Sequence, residues 1–275
     1  MPQILLIVSI PAGLLAVYLF YKLYKKSRRQ KILKLPFPEK WEKILKEIFP
    51  IYNLLPAAKQ KGLKDLIKIF IHEKNFEGAG GLEITDEIKV SVASQACFLI
   101  LNKNFDVYPT LQSIVIYPST YKHQGQDIPG MIVKDSIQVA GESWDRGLVV
   151  LAWDQVSKGV ANLHDGHNVV FHEFAHQLDS LDGSTDGVPL LDGKASYQAW
   201  SNILSKDFLK LVAKKKKHQK SLMDKYGATN PQEFFAVATE TFFEKPAALK
   251  KKHPELYRQL QDFYEINPIK ELEDL

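Results

Sequence analysis

The sequence predicts an α+β fold, preceded by a single N-terminal transmembrane helix. Apolar residues recur at three- and four-residue steps over residues 39–50 and 57–76, a spacing typical of amphipathic helices. Short β-rich runs occupy residues 113–118, 136–143 and 147–153 and are separated by turns that contain Pro and Gly. We therefore expect helices packed against a small sheet.

The N-terminal segment has the composition of a membrane anchor. Residues 1–21 carry no charged side chain, and the run ILLIVSIPAGLLAVYLFY supplies 18 mostly apolar residues. This length is close to the roughly 20 residues that a helix needs to cross a bilayer. A cleaved signal peptide would need a basic start, which MPQ lacks. A buried helix of the body is the other alternative.

The residues after this segment predict its orientation. Six Lys and Arg residues lie between Lys22 and Lys31. By the positive-inside rule, this end stays in the cytoplasm. The sequence thus predicts an anchor over residues 1–24, a basic juxtamembrane linker over 25–38, and a body over 39–275 on the cytoplasmic side of the inner membrane.

The composition describes an ordinary folded body. The chain is 45% hydrophobic and 25% charged, so it can bury a sizeable core. The lone Cys97 excludes an intrachain disulfide. The net charge is only +4, and lysines cluster over residues 213–220 without interleaved aromatics, a pattern that favours a solvated helix face over nucleic-acid binding.

Helix signals continue along the body. The segment 84–102 begins with a capping signature, in which Thr85 precedes Asp86 and Glu87. The small sheet follows, and after it the stretch VVFHEFAHQLD over residues 169–179. Its apolar residues favour one broad face, so this stretch predicts a helix packed into the core.

Two histidines on this helix point to a metal ion. His172 and His176 lie at positions i and i+4, on one face, where both rings reach one ion. Glu173 is turned away from the ligand position but is close enough to reach a water on that ion. This is the H-E-x-x-H arrangement of zinc hydrolases, although chance gives such a pattern on the order of once in a hundred chains of this length.

A third ligand has two candidates on a downstream helix. Asn230 and Pro231 mark the start of a helix, and Glu233 stands in its first turn. A capping box with Asn230 would by itself explain a glutamate at this position. Glu240 lies seven residues further on the same face, as a competing ligand or as an acceptor for the N–H of a ligand histidine. Helix geometry alone leaves the choice open.

The motifs together resemble a known family. HEFAHQLD, followed about fifty residues later by a tyrosine and then by PQEFFAVATE, is similar to the MtfA-type (Mlc titration factor A) zinc-dependent peptidases and to the catalytic domain of anthrax lethal factor. The resemblance implies a zincin-like α+β domain. It also implies His172, His176 and Glu233 as zinc ligands, Glu173 as general base, and Tyr226 as donor to the developing oxyanion.

The function expected from these features is that of a membrane-tethered zinc metallopeptidase acting on peptides or on an exposed segment of a protein. The strand within 147–153 is a candidate edge for pairing with an extended substrate. One alternative is a regulatory module that captures a transcription regulator, with weak or incidental hydrolysis. Another is a scaffold that binds anionic lipid or nucleic acid through its lysines.

The remaining polar residues carry no predicted chemistry. His164 and His167 lie before the two-histidine helix rather than on its ligand face. The acidic stretch 179–189 lacks the ligand spacing of a calcium loop. We expect it to be a loop that borders the cleft.

Overall fold

The computed structural model describes residues 2–103, 106–119, 147–191 and 194–271, with the side chains of residues 2–16 and 194–195 left out. The described helices are α1 (Pro2–Lys34), α2 (Glu39–Ile48), α3 (Ile51–Leu54), α4 (Ala57–Glu73), α5 (Asp86–Leu99), α6 (Trp153–Ala161), α7 (Val169–Asp179), α8 (Lys194–Lys216), α9 (Pro231–Glu244), α10 (Pro246–Lys252), α11 (Pro254–Tyr264) and α12 (Pro268–Glu271). The strands are β1 (Asn75–Gly78), β2 (Ser113–Tyr117) and β3 (Leu148–Ala152). Two short 3-10 helices span Ser180–Asp182 and Lys225–Ala228.

The first helix continues into the predicted basic linker, residues 25–38, as far as Lys34, and is joined to the body by ion pairs. Arg29 Nε and Nη2 lie 2.6 and 2.7 Å from the two carboxylate oxygens of Glu73 on α4. The Arg29 side chain also contacts Asp106, as does Lys25 Nζ at 2.7 Å. Residues 25–34 are therefore helical and packed against the body rather than extended as a spacer.

The predicted anchor, residues 1–24, falls largely on residues whose side chains lie outside the described part. Residues 17–24, by contrast, are described and have large apolar side chains that are mostly exposed. Among the residues whose side chains the structure describes, no helix is both long enough and apolar enough to cross a membrane.

The three described strands form a parallel sheet in the order β1-β2-β3. The buried residues of the two longer strands pair across the sheet, Ile114 with Val149 and Ile116 with Leu151. These strands confirm the runs predicted near 113–118 and 147–153, whereas the run at 136–143 lies outside the described residues. The predicted helix over 57–76 was too long, because α4 ends at Glu73 and the chain then pairs with β2 as β1.

The helices cover this sheet and enclose one continuous core. Helix α5 begins at Thr85, whose hydroxyl accepts from Ile88 N at 3.3 Å, as the capping signature predicts. Cys97 on this helix is buried. The fold is a mixture of helices with a small parallel sheet, which agrees with the α+β prediction.

Helix α7 lies in the middle of this core and spans the residues that the sequence predicts. Its Phe174 ring is fully buried, with its centroid 4.8 Å from that of Tyr108 and 5.7 Å from that of Phe70. Burial of one such side chain stabilises a fold by about 1.5–3 kcal/mol. Helices α5 and α9 both pack against α7.

Candidate metal centre and active site

Helix α7 brings the two motif histidines together. The helix starts at Asn168, whose side-chain oxygen accepts from Phe171 N at 3.0 Å. One turn separates His172 from His176, and their Nε2 atoms lie 3.2 Å apart. Both rings therefore direct the same nitrogen toward one point.

Helix α9 supplies a carboxylate to the same point. It starts at Asn230, whose side chain accepts from Glu233 N at 2.8 Å, and Pro231 occupies the first turn. The Glu233 Oε2 atom lies 3.0 Å from His172 Nε2 and 3.5 Å from His176 Nε2. Asn230 is thus a helix cap, as predicted, while the Glu233 carboxylate faces the histidines.

The three donor atoms fit the geometry of a tetrahedral zinc ion. Their separations are 3.0, 3.2 and 3.5 Å. A zinc ion with bonds of about 2.0–2.1 Å to tetrahedral ligands places those ligands about 3.3–3.4 Å from one another. Within the described part of the chain, the group that could hold a metal ion consists of His172, His176 and Glu233, which we call the three-donor group. Two imidazoles and one carboxylate leave a fourth position for water or substrate.

Glu240 contacts the opposite side of the His172 ring. Its Oε1 lies 2.7 Å from His172 Nδ1, and its Oε2 accepts from Asn168 N at 2.6 Å. When the Nδ1 proton is donated to Glu240, the Nε2 lone pair faces Glu233. Both oxygens of Glu240 therefore form hydrogen bonds, and neither is directed at the donor atoms of the three-donor group.

Glu173 lies beside this group with one free oxygen. Its side chain is buried, and Oε2 has no hydrogen-bond partner among the described residues. Burial raises the pKa of Glu173 to about 7; His172 opposes this rise, and the carboxylates of Glu233 and Glu240 add to it. A carboxylate with such a pKa suits proton transfer near neutral pH.

Tyr226 borders the site from the short 3-10 helix Lys225–Ala228. Its backbone N donates to the Asp224 side chain at 2.6 Å, and its ring centroid is 6.1 Å from that of His172. Burial, the charge of Glu233 and a hydrogen bond to Glu233 raise the pKa of the Tyr226 phenol. The phenol therefore stays protonated and can donate.

Without a metal ion, the surroundings of the two histidines favour a protonated His172 and a neutral His176. Burial lowers the pKa of His172, but the charges of Glu240, Glu233 and Glu173 outweigh burial and hold that pKa well above its ordinary value. Burial and the positive charge of His172 hold the pKa of His176 well below its ordinary value. A metal ion at this site must therefore displace the proton of His172.

The other histidines near α7 lie outside the three-donor group. His167 is exposed, and its Nε2 lies 3.7 Å from Asp224 Oδ2. The side chain of His164 borders a small cavity that Leu163 and Phe171 also line. Neither residue belongs to the group that could hold a metal ion, among the residues that the structure describes.

The acidic stretch 179–189 packs against the start of α9. Gly187 N donates to Asp179 Oδ2 at 2.9 Å, and Gln232 Nε2 donates to Thr185 O at 2.5 Å. Gly187 has a φ of 83°, and a Cβ there would lie 2.5 Å from Pro231 O. This loop is therefore held next to Glu233.

Three residues around the site were missed by the sequence analysis. Asn168 caps α7, Gln95 bonds to it from α5, and Glu244 on α9 accepts from Gly166 N and His167 N at 2.7 and 3.0 Å. An asparagine before an apolar helical run is a cap signal that could have identified Asn168. No sequence pattern indicates Gln95 or Glu244, because their partners are distant along the chain.

The comparison with known proteins agrees with this geometry. A family model described as glucose-regulated metallo-peptidase M90 matches residues 23–265. The chain belongs to this family. Membership of the M90 family implies a metal ion, and the matched residues include the whole three-donor group.

Individual relatives extend the comparison over most of the chain. An uncharacterized protein of Synechocystis sp. (strain ATCC 27184 / PCC 6803 / Kazusa) is 38% identical over 267 residues, 96% of this chain and 97% of its own. Mlc titration factor A of Klebsiella pneumoniae (strain 342) is 28% identical over 244 residues, 85% of this chain and 88% of its own. Mlc titration factor A of Serratia proteamaculans (strain 568) is 27% identical over 235 residues, 82% and 87% of the two chains. The resemblance to the MtfA-type peptidases is confirmed.

Proposed function

We propose that this M90-family protein is a zinc-dependent peptidase that hydrolyses peptide bonds in peptides or in exposed segments of proteins. One observation carries the proposal: the donor atoms of His172, His176 and Glu233 meet at tetrahedral separations, and the buried Glu173 follows His172 directly on α7. A site built only to stabilise the fold would close its fourth position with a protein group. Here the neighbours of that position are groups suited to catalysis.

His172, His176 and Glu233 hold the ion in this proposal. The ion, when bound, acts as a Lewis acid and lowers the pKa of a water molecule toward about 7. Glu240 keeps the Nδ1 proton of His172 in place, and Nε2 is thereby available as a ligand.

Glu173 is the proposed general base. Its buried Oε2 accepts a proton from the attacking water and returns that proton to the leaving amine. In the metal-free site, burial brings the pKa of this carboxyl closer to neutral pH than that of an ordinary glutamate, which favours a role in proton transfer.

Tyr226 is the proposed donor to the oxyanion. Its phenol borders the site and stays protonated, and its O–H is free to turn from Glu233 to the oxygen on which charge develops. Such preorganised donors contribute more in the transition state than in the ground state. Strand pairing of an extended substrate with β3 belongs to the same proposal, on the basis of the β-rich run over residues 147–153.

A regulatory binding module is the second candidate. Several relatives carry the name Mlc titration factor A, so capture of a transcription regulator is the partnership that this name suggests. In that case the metal ion would stabilise the structure of the binding site, and hydrolysis would be weak or incidental.

A metal-depletion experiment separates the two candidates. The protein is stripped of metal with a chelator, assayed on a generic peptide library, and assayed again after one equivalent of Zn²⁺. The peptidase proposal predicts loss and recovery of cleavage. Zinc uptake without any cleavage, combined with binding of a regulator, would favour the binding module instead.

Attachment of the body to the inner membrane, with the body in the cytoplasm, is a separate proposal that rests on the sequence. Its support is the uncharged run over residues 1–21 and the basic residues that follow it. Reporters fused to the C-terminus should be active on the cytoplasmic side of a membrane fraction. A reporter that is found in the soluble fraction would contradict attachment, and a mature chain that begins after about residue 20 would indicate a signal peptide.

A further inference from the structure

We infer that Gln95 and Asn168 are positioning residues that fix the orientation of the His172 ring through Glu240. The inference rests on the metal site of the proposed function, and it concerns residues that do not touch the ion. It is carried by a continuous line of buried hydrogen bonds from α5 to the ligand histidine.

Asn168 is the centre of this line. Its backbone N donates to Glu240 Oε2 at 2.6 Å, and its Nδ2 donates to Gln95 Oε1 at 2.8 Å. Its Oδ1 accepts from Phe171 N at 3.0 Å, and its carbonyl oxygen accepts from His172 N at 2.9 Å. One residue therefore caps α7 and also holds the carboxylate that contacts the ligand histidine.

The direction of each hydrogen bond in this line is determined. Gln95 Nε2 donates to Ser91 O at 3.0 Å, and this contact turns Gln95 Oε1 toward Asn168. Asn168 must then present Nδ2 to Gln95, which leaves Oδ1 for Phe171 N. If either side-chain amide were rotated by 180°, one contact would pair two donors and another would pair two acceptors.

Burial makes this arrangement rigid. Gln95 and Asn168 are each 1% exposed, so water cannot replace a lost partner. Gly159 packs against Asn168, and a Cβ at residue 159 would lie 3.3 Å from Asn168 Cγ. The Asn168 side chain therefore has little room to rotate.

Helix α9 also binds the segment that immediately precedes α7, through a second glutamate. Glu244 accepts from Gly166 N and His167 N, the two residues before Asn168. Three consecutive backbone N–H groups are thus bound by two carboxylates four residues apart on one helix. A change in the Asn168 position has to move Glu240, and with it the ring of His172, since Glu240 Oε1 lies 2.7 Å from His172 Nδ1.

The test is the zinc affinity of the full chain, measured by competition with a chromophoric chelator. Gln95→Met keeps the side-chain volume and the α7 cap but removes the donor to Ser91 O and the acceptor for Asn168. Asn168→Asp keeps the cap but replaces the Nδ2 donor by an oxygen and adds a negative charge, so Gln95→Met, which adds none, is the decisive variant. Each variant should bind Zn²⁺ about 10-fold more weakly, as loss of an outer partner of a metal ligand does.

Ser94→Ala is the matched control. Its hydroxyl is buried on the same helix and donates to the same Ser91 O, at 3.2 Å, without contacting Asn168. It should lower stability while the zinc affinity stays native. A double-mutant cycle adds a second readout: in a Glu240→Gln background, Gln95→Met should weaken zinc binding no further.

The outcomes separate this inference from the proposed function. If the native protein binds one zinc and Gln95→Met and Asn168→Asp bind it equally well, the positioning role is wrong and the metal site stands. Independent, additive losses in the cycle would also contradict it. A native protein that takes up no zinc overturns the site and the inference together. Should Asn168→Asp fail to fold, Gln95→Met decides the question, because it leaves the cap of α7 intact.

Discussion

Glu233 and Glu240 lie two turns apart on one helix, and their carboxylates reach opposite nitrogens of the same imidazole ring. Glu233 Oε2 is 3.0 Å from His172 Nε2, and Glu240 Oε1 is 2.7 Å from His172 Nδ1. Seven helical residues span about 10.5 Å, which is enough to place one carboxylate on each side of the ring. The two glutamates therefore have different parts in one site.

The first prediction concerns zinc binding. His176→Ala and Glu233→Ala should each remove most bound zinc, because each deletes a donor atom of the three-donor group. Glu240→Gln should weaken binding about 10- to 100-fold without emptying the site, since it removes only the partner of a ligand. Metal content of the purified proteins measures this.

His167→Ala is the control for that experiment, as an exposed histidine close to α7 that lies outside the three-donor group. It should keep native zinc content. An empty site in Glu240→Gln, together with full occupancy in Glu233→Ala, would show that the two glutamates have the reverse roles.

The second prediction concerns Tyr226. Tyr226→Phe removes the proposed donor to the oxyanion, so kcat should fall about 10²- to 10³-fold while KM changes little. Tyr257→Phe is the control, because it removes a hydroxyl that bonds to Asn267 away from the three-donor group. Steady-state kinetics on one peptide measure both. A Tyr226→Phe protein with native kcat would reduce Tyr226 to a packing residue.

The third prediction concerns pH and Glu244. Burial raises the pKa of this carboxyl to about 8 from an ordinary 4.5, and backbone and side-chain hydrogen bonds oppose the rise. A raised folded-state pKa contributes stability that is fully present below pH 4.5 and is lost as pH rises through 8. Glu244→Gln does not ionise, so the stability of this variant relative to the native protein should increase from pH 5 to pH 8.

Urea unfolding of both proteins at each pH measures that difference, with metal removed so that zinc binding does not contribute. A difference that stays constant over this range would mean that Glu244 titrates normally in the folded protein.

The fourth prediction concerns the attachment of α1. Arg29→Met removes a two-point contact with Glu73 and the contact with Asp106, so the free energy of unfolding should fall by about 1–3 kcal/mol. Lys61→Met breaks an exposed pair with Asp65 and should leave the free energy of unfolding nearly unchanged. Equal effects of the two substitutions in urea unfolding would mean that α1 is not held by Arg29.

Local patterns predicted the elements whose signals lie close together in the sequence. The helix over 169–179 and the caps Thr85 and Asn230 are confirmed, because periodicity and capping depend on residues within one or two turns. Helix spacing left Glu233 and Glu240 open as ligands, since both lie on one face of α9. The family resemblance implied Glu233, and in the structure the two glutamates are distinguished by the nitrogen of His172 that each one contacts.

Long-range pairing explains what the sequence did not predict. Strand β1 exists because Asn75–Gly78 pair with β2, which lies nearly forty residues later in the chain. The packing of residues 25–34 of α1 against the body includes contacts of Arg29 with Glu73 and Asp106, which are distant along the chain. The Gln95–Asn168 contact likewise joins two helices that no local pattern connects.

The most direct test of the peptidase account is cleavage of a generic peptide library by the folded, zinc-loaded protein and by its Glu173→Gln variant. This substitution keeps the shape of the side chain and the three metal donors but removes the base. The account predicts that the native protein cleaves, and that Glu173→Gln retains zinc and fold while its cleavage falls at least about 100-fold. Full activity in a folded, zinc-loaded Glu173→Gln protein would contradict it.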